Sequence, residues 1–164
     1  VLNLRRRGEK GFEVAYQITL FVRTSEPVAQ RVAGELVSRV AQRNPSVTGV
    51  PTGDGVGWSS YDLTTGRDGA AQLSEFERDL LPPELGVQSL SVAVTTRPDS
   101  VKDQIAWGLE NGGPPSLAGC DGFVTLTLVG YVHDWDLVEL VCDVATERWD
   151  AIMCDDHDGF DLGQ

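Results

Sequence analysis

The run Cys154-Asp155-Asp156-His157-Asp158-Gly159 gathers a thiol, three carboxylates and an imidazole into six positions. These groups ligate metals and move protons. As a calcium loop the run fails on register. With Gly159 at the sixth loop position, Cys154 falls at the first and the twelfth lies beyond Gln164. A transition-metal site would need ligands from elsewhere, and His133 is the only other histidine. The three cysteines, Cys120, Cys142 and Cys154, include no CxxC pair, and their odd number makes a poor disulfide framework. The expectation is no metal, no cofactor and three buried thiols in a reducing cytoplasm. The acidic run itself reads as a turn between two edge segments.

Catalytic constellations fare no better. Nucleophilic catalysis needs an activated side chain beside a base. His133 and His157 are the two histidine bases, and no GxSxG elbow accompanies them. Cys120 or Cys142 could pair with His133, but spacing does not place them together. Gly53-Asp54-Gly55-Val56-Gly57 suggests a nucleotide loop, yet Trp58 stands where the third glycine is needed. A strand pattern follows where a helix should begin, so the segment reads as a hairpin turn. The expectation is a protein that is not an enzyme.

Charge carries more information. From Asp134 to Asp161 there are ten carboxylates against the single base Arg148, a balance of -9 in a chain whose total is -12. Asp136, Glu139, Asp143, Glu147 and Asp150 recur at spacings of three and four, which lines them along one helix face. Asp155 and Asp156 extend the set, and Trp135 sits between Asp134 and Asp136. A tryptophan rimmed by acids suits an interface anchor or a cation-binding pocket. The candidate partner-binding residues are therefore Trp135, Asp136, Glu139, Asp143, Glu147, Asp150, Asp155 and Asp156. The bland alternative is a solvated face that keeps the protein soluble.

Composition bounds the rest. A chain of 164 residues with 41% hydrophobic content fits a single domain with a real core. The acidity argues against nucleic acid, whose phosphates demand a basic face. No run approaches the ~18 apolar residues of a membrane span. Arg5, Arg6 and Arg7 invite a twin-arginine signal, but Glu9, Lys10 and Glu13 follow in place of an apolar stretch. Residues 1–11 read as a flexible basic tail and 12–164 as one domain.

The elements that must position these residues follow from periodicity. Val14 to Val22 alternates as a strand, with Tyr16, Ile18, Leu20 and Val22 on one face. Ser25 is the expected N-cap of a helix running to Arg43, with an apolar stripe of Val28, Val32, Leu36 and Val40. Short strands over 47–50 and 58–63 flank the Gly53-Asp54-Gly55 turn. A helix beginning between Ala70 and Ser74 ends at Pro82-Pro83. A strand over 87–95, a helix from Pro98 to Leu109 and a long strand over 123–132 come next. A helix from Asp134 or Asp136 to Arg148 and a strand over 151–154 complete the series. A turn at Asp158-Gly159 then leads into Phe160 to Leu162.

The fold class is α+β, a mostly antiparallel sheet with helices on one face. Residues 14–63 and 123–162 share the order strand, helix, strand, Asp-Gly turn, strand, which suggests two βαββ halves. Residues 14–97 alone also parse as a ferredoxin-like unit with a C-terminal addition. The leading expectation is an acidic, non-enzymatic binding protein of bacterial type, specifically an immunity or inhibitor protein that occludes a basic effector protein. Two alternatives stand beside it. One is a small-molecule-binding domain with an aromatic and acidic pocket between the halves. The other is a self-associating module, a homo-oligomer paired through exposed strands.

Overall fold

A computed structural model describes residues 16–66, 89–128, 133–156 and 159–160. Expectations for the 1–11 tail, the helix near 70–81, residues 129–132, His157, Asp158 and the final strand at 161–162 lie outside the described residues. Among the described residues, six antiparallel strands form one sheet: β1 (Tyr16–Val22), β2 (Thr48–Gly55), β3 (Trp58–Thr64), β4 (Leu90–Thr95), β5 (Gly122–Leu128) and β6 (Ile152–Asp155). Their order is β2-β3-β4-β5-β1-β6. Three helices among the described residues join them: α1 (Ala29–Arg43), α2 (Pro98–Glu110) and α3 (Trp135–Trp149), with a 3-10 turn at Pro115–Gly119. The architecture is α+β.

Alternation decides the two sheet faces. Register aligns Ile18 and Leu20 with Leu126 and Val124, and these with Val92 and Val94, while Leu63 pairs with Leu90 on the same face. Against this apolar face pack Val32, Leu36 and Val40 of α1, and Leu137, Val141 and Ala145 of α3. The other face bears Phe21, Phe123, Ile152 and Cys154 at one end, where Ile105 of α2, Leu117 and Phe160 cover them. Helices thus occupy both faces, with α1 and α3 together and α2 opposite.

The strand order refines both sequence parsings. β1 and β5, which open the two proposed halves, pair with each other at the sheet's heart. α1 connects β1 to β2 beyond β5, and α3 connects β5 to β6 beyond β1. The halves therefore cross one another. In a ferredoxin-like parsing β1 would pair within the 14–97 unit, but its neighbours here are β5 and β6.

Local expectations shift in two places. Ser25 does not cap α1. It sits in the left-handed region at φ 55°, and the N-cap is Val28, which has no side-chain cap bond. The cause is Asp121, whose carboxylate accepts the Thr24 and Ser25 backbone N–H groups at 2.6 and 2.7 Å and pins the loop ahead of the helix. Gly53-Asp54-Gly55 is strand, and the hairpin tip moves to Val56 and Gly57 (φ 75°). The glycines answer to the Trp58 indole, which lies across them. A Cβ on Gly53 would stand 2.9 Å from ring carbon Cη2, and one on Gly55 would overlap the indole nitrogen.

Candidate functional site

α3 begins at Asp134. One carboxylate oxygen accepts the Leu137 N–H at 3.1 Å, capping the first turn. The other accepts the Thr65 hydroxyl at 2.6 Å, which ties the exit of β3 to the start of α3. The buried side of α3 carries Leu137, Val138, Val141, Cys142, Val144, Ala145 and Trp149. At 100° per residue, Asp136, Glu139, Asp143, Glu147 and Asp150 fall within an arc of about 80° on the opposite side. All five face away from the core, with Glu139 half-buried and the others exposed. Asp150 ends the helix in the left-handed conformation at φ 50°, which aspartate tolerates better than most side chains.

Part of this row is answered from within. Arg43 of α1 donates to both carboxylate oxygens of Glu147, one of them at 3.1 Å. Beside that pair, Arg148 and Arg39 both donate to one oxygen of Glu35, at 2.7 and 2.9 Å. The Arg148 hydrogen bond is the main influence holding the Glu35 carboxyl below the usual glutamate range, and Arg43 does the same to Glu147. The seam between α1 and α3 is thus closed by charge. Glu139, Asp143 and Asp150 make no ion pair among the described residues.

Trp135, Asp155 and Asp156 have other surroundings. Trp135 is half-buried and packs against the core. Its ring stands edge-on to Tyr16, with centroids 5.9 Å apart, and to His133 at 5.7 Å. Asp155 is 1% exposed and accepts the Tyr16 hydroxyl at 2.5 Å. It therefore does not belong to an outward acidic face. The reason is register: β6 pairs Asp155 with Ile18, on the core side of the sheet. Asp156 is exposed, and its carboxylate accepts the Gln17 N–H at 2.9 Å. The predicted eight-residue set thus separates into an exposed stripe on α3 and an aromatic–carboxylate joint at the sheet edge. Tyr16 was missed. The signal for it was the apolar alternation of β1, which put Tyr16 on the same face as Ile18.

The chain matches no family model, no curated protein and no solved structure.

The thiols are poor nucleophiles. All three are free and buried. Burial, joined by nearby carboxylates, pushes Cys142 up to about 12 and Cys154 up to about 11, and burial raises Cys120 as well. No group of three His, Cys, Asp or Glu side chains among the described residues could hold a metal ion. No helix among them is long and apolar enough to cross a membrane.

Burial also lowers the affinity of His133 for a proton. An unfolded histidine takes up a proton below about pH 6.5, while the folded one resists until the pH is lower. Stability should therefore fall as pH drops below about 6.5, and His133→Gln should flatten that slope. Urea midpoints across this window check it, and an unchanged slope in the variant refutes it. Glu35 acts in the same direction in a more acidic window, because a depressed carboxylate loses its contribution as pH falls through its folded value.

Proposed function

We propose that the chain is a non-enzymatic binding protein of bacterial type, an immunity or inhibitor protein acting in the cytoplasm, whose acidic α3 face occludes a basic effector protein. One observation carries the reading: five acids share one arc of α3 opposite its buried side. Like charges at such spacing cost a helix a few tenths of a kcal/mol per pair, so the row is not there for helix stability. A concentrated field of one sign speeds encounter with a partner of the other. On this reading the contact set is Asp136, Glu139, Asp143 and Asp150, with Glu147 shared with Arg43 and Trp135 at the edge of the stripe.

The self-associating alternative is disfavoured by both sheet edges. β2 carries Pro51 and a bulge between Pro51 and Gly53, and β6 is four residues long. A proline, a bulge and a short strand each discourage addition of another chain.

Co-expression with the product of the neighbouring gene tests the proposal. The expected result is a complex with a basic protein whose association slows steeply between about 50 and about 500 mM salt. The double variant Glu139→Lys, Asp143→Lys should slow association at least about tenfold, and Glu147→Lys less, because Arg43 already answers that carboxylate. Association indifferent to salt and to both variants sinks the reading.

A further inference from the structure

A groove of about 660 Å³ lies between α2, the loop ahead of α1 and the 3-10 turn. That volume falls within the range of small-molecule sites. Its lining is mostly apolar, with Pro27, Pro98, Val101, Ile105 and Ala118. Its walls are tied together by side chains other than the apolar ones. Thr96 donates its hydroxyl to the Pro27 carbonyl at 2.7 Å, and Arg23 reaches the Ser116 carbonyl at 2.8 Å. A groove braced in this way need not be built by its ligand, which lowers the ordering cost of binding.

Three charged side chains line it, and two are already engaged. Asp121 accepts the Thr24 N–H and hydroxyl on one oxygen and the Ser25 N–H on the other. Glu26 accepts the Val28 N–H at 3.0 Å and pairs with Arg31 at 3.5 Å. The third is Lys102, exposed on α2, which makes no ion pair or hydrogen bond among the described residues. An unanswered ammonium beside an apolar channel complements one kind of occupant, an anionic head on an apolar body.

We propose that this groove binds a small amphipathic monocarboxylate, its apolar body on Pro27, Val101 and Ile105 and its carboxylate on Lys102. The site is separate from the α3 stripe and does not depend on the partner proposed for it. Its sign is also opposite, since it takes an anion in a chain of net charge -12.

Calorimetric titration of the full chain with phenylbutyrate, phenylbutylamine and acetate tests the assignment. Phenylbutyrate should bind saturably with a one-to-one stoichiometry. The amine, with the same body and the wrong charge, and acetate, with the right charge and no body, should each bind at least about tenfold more weakly. Lys102→Glu should weaken phenylbutyrate by about tenfold or more, and Lys102→Met by several-fold. Ala118→Trp should close the channel and abolish binding, with amide NMR confirming that both kinds of variant keep the fold. Equal affinity for amine and acid, binding unchanged in Lys102→Glu, or no saturable binding to the wild-type chain overturns the proposal.

Discussion

Replacing Trp149 with Ala should cost about 3–5 kcal/mol of folding free energy, the largest effect of any single change considered. Trp149 is the last residue of α3 and is 3% exposed. Its side chain belongs to the core cluster that joins α1, α3 and the sheet. Its backbone carbonyl accepts the Arg23 N–H at 3.2 Å, which fixes the end of the helix to the exit of β1. Truncation leaves a large apolar void that neither helix can fill without losing its register on the strands. Trp135 at the other end of the same helix makes the internal comparison. It is half-buried, and its contacts with Tyr16 and His133 are edge-on, so Trp135→Ala should cost about 1–2 kcal/mol. Denaturant midpoints at constant slope measure both. A Trp149→Ala variant within about 1 kcal/mol of the parent would contradict this view of the core.

Tyr16→Phe is expected to have the second largest effect, about 2 kcal/mol. The tyrosine hydroxyl donates to the buried carboxylate of Asp155, and hydrogen bonds to charged groups exceed neutral ones. Without the hydroxyl the carboxylate stays buried with one donor fewer. Asp155→Asn keeps the shape and removes the charge. A double-mutant cycle between the two positions should give a coupling of about 1–2 kcal/mol. Tyr61→Phe is the control. Tyr61 is half-buried on β3 and its hydroxyl has no partner among the described residues, so the change should stay within about 0.5 kcal/mol. Additive effects of Tyr16→Phe and Asp155→Asn would show that the bond contributes little.

These two results would also show where sequence reasoning reached and where it stopped. β1 and β5 were readable because strict alternation has one structural meaning when one face is buried. α3 was readable because Asp134 offers a cap and the apolar positions repeat at helical spacing. The acid stripe followed from the same periodicity. Asp155 was misplaced because its strand extends one residue past the apolar run, and a single inward carboxylate looks like a turn acid until its partner is known. That partner, Tyr16, is 139 positions away. The start of α1 was misplaced for a similar reason. Ser25 has the chemistry of a cap, but Asp121, 96 positions distant, takes its N–H. The hairpin tip moved because Trp58 needs bare backbone beneath its ring, so the glycines at 53 and 55 serve packing and not a turn. The groove beside Lys102 left no local trace, since α2, the 3-10 turn and the loop before α1 meet only in three dimensions.

The strand order has a temporal meaning as well as a spatial one. β1 is the first described strand to leave the ribosome, and both of its neighbours come from the last third of the chain. Until residues 122–155 have emerged, Ile18, Leu20, Phe21 and Val22 have no strand on either side. Pairings of such long separation close large loops and fold slowly. A nascent chain stalled before β5 therefore presents an unzipped, apolar ribbon.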